Sequence, residues 1–190
     1  MRSIIETSLR EADELLHQFR TIPKNLDLVS EIAQAILSAF RSGNKVLACG
    51  NGGSMADAMH FCEEWSGRFR ADRDPYPAIA LSDPTHMSCV ANDYGYEHVF
   101  SRQVRGLGKS GDVFLLLSTS GNSPSITLAA KAAKDHGLKV IGFLGKGGGE
   151  VLPMCDLALV APGKTSDRIQ EIHMLCLHAV IEAIEAELGR

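Results

Sequence analysis

The chain has 190 residues, long enough for one domain with a sizeable buried core. Its 45% hydrophobic and 22% charged content is that of a globular protein, and a net charge of −4 gives no basis for non-specific attraction to nucleic acid or an anionic membrane. No apolar run approaches the ~20 residues of a membrane helix. The N-terminal stretch carries acidic residues and lacks an apolar signal core, and the five cysteines (Cys49, Cys62, Cys89, Cys155, Cys176) form no CxxC pair. These features describe a cytoplasmic protein with reduced, mostly buried thiols.

Two helices come first. "SIIETSLREADELLHQF" has helical spacing through Ile5, Leu9, Leu15 and Leu16. "NLDLVSEIAQAILSAFRSG" places Val29, Ile32, Ala33, Ile36, Leu37 and Phe40 on one stripe, and Gly43 is a natural stop. Five short apolar runs follow: "KVLAC", "PAIAL", "DVFLLLS", "KVIGFL" and "LALVA". None alternates strictly with polar residues, which suits strands covered on both faces of a parallel sheet. Between them lie helical stretches at 54–70, at about 84–107 with a break near Gly95, at 124–136, and a short one near 149–155. A long patterned helix over about 166–188 ends the chain. This order predicts an α/β fold: a three-layer sandwich around a five-stranded parallel sheet, flavodoxin-like in strand order, with a Rossmann-like order as the alternative. The whole chain, 1–190, reads as a single domain, with helices over 1–43 that must cover the sheet domain, another subunit, or both.

In such a sheet, ligands bind outside the carboxyl ends of the strands, so the loops after the first and third strands draw attention. The first is "CGNGGS". Its glycines allow close backbone approach, and Ser54 can cap the next helix, whose amides favour an anion. It matches neither GxGxxG nor a P-loop, and a glycine-rich corner is often only a corner. The second is "STSGNSPS", with Pro124 suited to a first helical position and Ser123 to the cap. A cap needs one hydroxyl, whereas Ser118, Thr119, Ser120 and Ser123 all fall within residues 118–123. Short donors beside helix amides are what a phosphate monoester needs, so the two loops point to a phospho-ligand cleft. His60 and Glu64, at i and i+4, share a face of the helix that starts at the first loop, while Glu63 points elsewhere. Such a pair is ordinarily a surface contact; its place on this helix suggests that it lines the same cleft. In the last helix Gln170, His173 and His178 interrupt an apolar pattern, where a histidine is more often a satisfied core or interface residue than a catalyst.

Four stretches, "CGNGGS…DAMHFCEEWSGRFR", "AIALSD…SCVANDYG", "GDVFLLLSTSGNS" and "DRIQEIHMLCLH", agree in order and spacing with one family. Over nearly its whole length the sequence resembles the sedoheptulose 7-phosphate isomerases (phosphoheptose isomerases) of the sugar isomerase (SIS) domain superfamily. The resemblance implies conversion of sedoheptulose 7-phosphate to D-glycero-D-manno-heptose 7-phosphate, the first step towards activated heptose for lipopolysaccharide core. It implies a homotetramer with active sites at subunit interfaces. It assigns substrate contacts to Asn51, Gly52, Gly53, Ser54, Glu64, Asn92, Asp93, Ser118, Thr119, Ser120, Ser123 and Gln170. It assigns the acid/base pair to Glu64 and His178, and a zinc ion, one per subunit, to His60, Glu64, Gln170 and His178. Aldose–ketose isomerisation moves a proton between adjacent carbons through an enediol, work for a carboxylate, while a histidine titrates near neutrality and can serve the oxygens.

One geometric difficulty is visible already. Gln170 and His178 lie ~12 Å apart along a straight helix. The expectation is therefore that a site draws its C-terminal groups from more than one copy of that helix, or that the helix is not straight. Three rivals share the fold: a non-catalytic relative that binds the bacterial replication initiator, an arabinose 5-phosphate isomerase, and a phosphosugar-sensing regulator. The first lacks equivalents of Glu64 and His178, and the others carry extra domains with no counterpart here.

Overall fold

The five apolar runs form one sheet in which every neighbouring pair is parallel, in the order β2-β1-β3-β4-β5. This is the expected flavodoxin-like order, and it excludes the Rossmann-like alternative. The computed structural model describes residues 1–188. Helices α1 (Arg2–Arg20) and α2 (Pro23–Arg41) precede β1 (Val46–Gly50), α3 (Gly53–Ser66), β2 (Ala78–Ala80), α4 (Pro84–Tyr94) and α5 (Val99–Leu107). Then come β3 (Val113–Ser118), α6 (Pro124–Asp135), β4 (Lys139–Leu144), β5 (Leu157–Val160) and α7 (Ser166–Glu187). Single 3-10 helices fill Tyr96–His98 and Gly149–Met154. Among the described residues, no helix is long and apolar enough to cross a membrane.

Alternation along the strands divides the core in two. Val46, Ala48, Val113, Leu115 and Leu117 pack under α2, α3 and α7. Leu47, Cys49, Phe114 and Leu116 pack under α4, α5 and α6. Because helices cover both faces, β1 and β3 are buried at every residue, which explains their unbroken apolar runs. The break near Gly95 is real: its φ of +95° separates α4 from the 3-10 helix that leads into α5. Cys49, Cys62 and Cys176 are buried free thiols, Cys155 is partly covered and Cys89 is exposed.

One expectation needs correction. The helix expected over 54–70 stops at Ser66, because the chain turns at Gly67 and returns so that Arg73 reaches back under it. The N-terminal helix, expected to cover this domain, another subunit or both, buries only Phe19 within this chain, and Ile5 and Leu9 are 54% and 67% exposed. Its apolar stripe is therefore not used up by this chain.

Arg73 fixes how α3 lies against α7. Its side chain is 1% exposed, and its Nε donates to Glu185 of α7 at 2.6 Å. Its Nη1 and Nη2 donate to the carbonyls of Trp65 and Glu64 at 2.9 and 2.5 Å, and the guanidinium lies over the Trp65 and Tyr76 rings. Removing one partner of such a buried pair leaves a charge and two carbonyls without partners. Arg73→Ala should lower unfolding free energy by about 3 kcal/mol, read from urea denaturation.

Candidate functional site

The loops after β1 and β3 meet because β1 and β3 are neighbours at the point where the strand order reverses. The first loop is held tightly. A Cβ on Gly50 would fall 2.4 Å from the Ser54 carbonyl oxygen, and one on Gly53 would fall 2.6 Å from the Gln170 amide nitrogen. Gly52, at φ +56°, is the N-cap of α3. Ser54 thus lies inside the first turn and does not cap, contrary to expectation; its hydroxyl accepts from Gln170 Nε2 at 3.2 Å. In the second loop, the hydroxyls of Ser118 and Ser120 accept from the amides of Gly121 and Asn122, and Thr119 meets the Ser166 hydroxyl. Ser123 is the N-cap residue of α6 as expected, but its hydroxyl makes no capping bond.

Between the loops lies a cavity of about 520 Å³ lined by Asn51, Tyr96, Glu97, Ser123, Pro124 and Ser125. The N-termini of α3 and α6 flank it and favour an anion, which the Glu97 carboxylate in the lining opposes. Asn92 and Asp93 do not line it. They stand exposed on the last turn of α4, where Asn92 Nδ2 donates to Asp93 Oδ1 at 2.8 Å. Tyr96 and Glu97 are lining residues that sequence reasoning did not single out, whereas Ser125 is the last hydroxyl of the serine-rich loop. Only the folded path of the chain after Gly95 carries the first two here.

A second constellation sits where α3 and α7 run side by side. Glu64 Oε1 lies 3.3 Å from His60 Nε2 and 3.5 Å from His178 Nε2. The Glu64 side chain is 9% exposed, while His60 and His178 remain 48% and 37% open to solvent. Phe69 stacks on the His178 ring. Burial raises the Glu64 carboxyl above the ordinary carboxylate range, against the opposing pull of His178 and His60. Its second oxygen, Oε2, is buried without a hydrogen-bond partner. One atom from each of the three residues falls within 4.8 Å of the others. Two imidazoles and a carboxylate, one of whose oxygens is buried without a partner, are a donor set that fits a metal ion such as zinc. Glu63, expected to point elsewhere, is 65% exposed, yet its Oε1 comes within 3.9 Å of His60 Nε2.

Within one chain these two constellations are apart. Ser54 and Glu64 are ~15 Å apart along α3, and Gln170 and His178 are ~12 Å apart along α7. The helix α7 is continuous over Ser166–Glu187, and Gln170 turns to Ser54 at the cavity end. The expectation that His60 and Glu64 line the same cleft as the loops therefore fails for a single chain: α3 carries them away from the strand ends. Gln170 likewise stands apart from the other three residues named for zinc.

Other polar groups of α7 have structural work. His173 is fully buried, bonded through Nε2 to the Leu144 carbonyl at 2.9 Å, and burial pushes it down to about 4. Arg168 pairs with Glu171 and reaches Ser8 of α1. Arg70 lies beyond α3 and pairs with Glu182.

Comparison with known proteins finds the SIS domain over residues 9–145. The phosphoheptose isomerase of Fusobacterium nucleatum is 50% identical over 179 residues, covering 94% of this chain and 92% of that protein. That of Pectobacterium atrosepticum is 48% identical over 189 residues, covering 99% and 98%. Among solved structures, the phosphoheptose isomerase of Neisseria gonorrhoeae superposes with a TM-score of 0.91 at 36% identity, covering 97% of this chain and 98% of that one.

Asp57, one turn before His60, offers a test of the local electrostatics. Its Oδ2 is buried without a partner, and burial, partly offset by His60, raises its carboxyl to about 6. Below an unfolded value near ~3.9 the group is neutral in both states, and above 6 the folded state bears the full penalty of its charge. Asp57→Asn should therefore raise the thermal midpoint at pH 8, with the gain shrinking to nothing by about pH 4.

Proposed function

Since the chain belongs to the phosphoheptose isomerases of the SIS-domain superfamily, we propose that it converts sedoheptulose 7-phosphate to D-glycero-D-manno-heptose 7-phosphate with Glu64 as the base. The observation that carries the residue assignment is Glu64 itself, a buried carboxylate between two histidines with one oxygen unpartnered. The reaction takes a proton from C1 of the ketose while the C2 oxygen gains one, giving the enediol. Return of the proton to C2 and loss of the O1 proton give the aldose. Glu64 moves the carbon-bound proton, and its raised affinity for a proton suits that carrying role. His178 serves the oxygens, and its partial exposure lets it exchange protons with water.

His60, Glu64 and His178 would hold a zinc ion, and Gln170, which stands apart from them within one chain, could add a further ligand only from another copy. When bound, zinc supplies a Lewis acid that polarises the sugar carbonyl. The phosphate is remote from the reacting carbons and serves as an anchor. It binds at Ser118, Thr119, Ser120 and Ser123 beside the α6 N-terminus, with Asn51, Gly52, Gly53 and Ser54 along the sugar and Gln170 behind them. Asn92 and Asp93 reach the substrate from outside this cavity, through a partner or a shift of α4.

The separation of the two constellations supports an assembled site. From C1 to phosphorus an extended heptose phosphate is about 10 Å at roughly 1.5 Å per bond. Within one copy, such a ligand beside Ser54 would meet Glu64 only if side chains reached along the ~15 Å of α3 between them, whereas Glu64 instead turns to His60 and His178. Each site thus takes its phosphate loops from one copy and its His60–Glu64–His178 group from another, in a homotetramer. The uncovered stripe of α1, with Ile4, Ile5 and Leu9 exposed, offers apolar surface for that assembly. The enzyme acts in the cytoplasm at the entry to activated heptose for lipopolysaccharide core. Binding to the replication initiator finds no favouring observation, since both residues that such a protein lacks are present and in contact.

The direct test is turnover of sedoheptulose 7-phosphate by metal-stripped protein, with and without added zinc. The expected result is turnover that zinc restores; no turnover in either state contradicts the reading. Glu64→Gln should lower kcat by about 10³-fold while keeping phosphosugar affinity within a few-fold. Near-normal turnover in that variant removes Glu64 as the base.

A further inference from the structure

We infer that Tyr96 is a positioning residue of the phosphosugar cleft, acting through the side chain of Asn51, an inference that rests on the isomerase reading above. The Asn51 carboxamide is held between two hydroxyls. Tyr96 Oη donates to Asn51 Oδ1 at 2.9 Å, and Asn51 Nδ2 donates to Ser125 Oγ at 3.0 Å. Ser125 is buried in the first turn of α6. Three separate segments are thereby tied across the cleft: the loop after β1, the 3-10 helix after α4, and the start of α6.

An asparagine in a loop ordinarily turns freely about its last torsion, because that torsion is broad and nearly two-fold. With a partner on each end, this one has a single plane. The Ser125 end is anchored in the core, so the Tyr96 hydroxyl is the contact that closes the arrangement. Core packing does not hold Tyr96 there, as the residue is 48% exposed. Its place follows from the backbone at Gly95, whose φ of +95° turns the chain between α4 and the 3-10 helix. A Cβ on Gly95 would also fall 2.6 Å from Glu97 Oε2, but that exposed carboxylate can move aside, so the positive φ is what calls for glycine.

Tyr96, Asn51 and Ser123 line the same cavity. Removing the hydroxyl leaves the aromatic wall in place but releases Asn51. Ligand binding then has to order that side chain itself, which weakens affinity. The contact ties Asn51 in the loop after β1 and touches neither Glu64 nor His178, so the loss falls on binding rather than on the proton transfer.

The test is Tyr96→Phe, which deletes one oxygen. KM for sedoheptulose 7-phosphate should rise about five-fold, the size expected for one hydrogen bond, with the change in KM rather than kcat and the thermal midpoint held. Calorimetric affinity for sedoheptulose 7-phosphate, compared between Glu64→Gln and the Glu64→Gln/Tyr96→Phe double variant, should show the same five-fold loss without turnover. Equal affinities, no binding by either, or a loss that tracks a fall in the thermal midpoint each overturn the role of Tyr96. Wild-type turnover is read separately, so failure of the isomerase reading is seen on its own.

Discussion

The parallel packing of α3 against α7 is the constraint on which the chemistry depends. Each helix leaves the carboxyl end of a strand and runs back along the same face of the sheet. Contacts between them therefore repeat down their length: Ser54 with Gln170, Glu64 with His178, and the end of α3 with Glu185 through Arg73. Arg73 does most to set the register, since it grips the Glu64 carbonyl and the Glu185 carboxylate together. A slide of either helix would part Glu64 from His178 while leaving the sheet intact. Arg73 thus holds the backbone that carries Glu64, while the buried carboxylate itself is faced by His60 and His178.

The same constraint divides the labour along α3. Its first turn, pinned by glycines that admit Gln170 and the Ser54 carbonyl, belongs to the anion cavity at the switch point between β1 and β3. Its third and fourth turns carry His60 and Glu64 outward over the helical layer. A rigid helix cannot bring both ends to one small molecule. On the proposed reading, assembly solves this by setting the outer turns of one copy beside the strand ends of another.

Much of this was legible in the sequence, for reasons that are physical. Strands buried on both faces must be apolar throughout, so all five runs were visible; the β–α alternation implied a parallel sheet but left two strand orders open, and the fold decided between them. Gly95 and Pro124 marked real boundaries because their backbone demands are local. What stayed hidden was set by tertiary contacts. Ser54 and Ser123 have the composition of caps, yet Ser54 is taken by Gln170 and Ser123 makes no capping bond. The end of α3 at Ser66 depends on the return of Arg73, which no periodicity reports. Tyr96 reads as one aromatic among several until the turn at Gly95 carries it to Asn51. The spacing of Gln170 and His178 did signal that one straight helix could not bring them together, and in the fold they stand at opposite ends of the α3–α7 seam.

The central claim is that the phosphate loops of one copy work with the His60–Glu64–His178 group of another. Complementation within mixed assemblies tests it most directly. Ser123→Asp puts a carboxylate into the anion cavity, and Glu64→Gln removes the base, so each protein alone should be inactive. Assemblies that contain both chains should regain turnover of sedoheptulose 7-phosphate, because some sites then combine an intact cavity with an intact base. Mixed assemblies that stay as inactive as either parent would contradict the account.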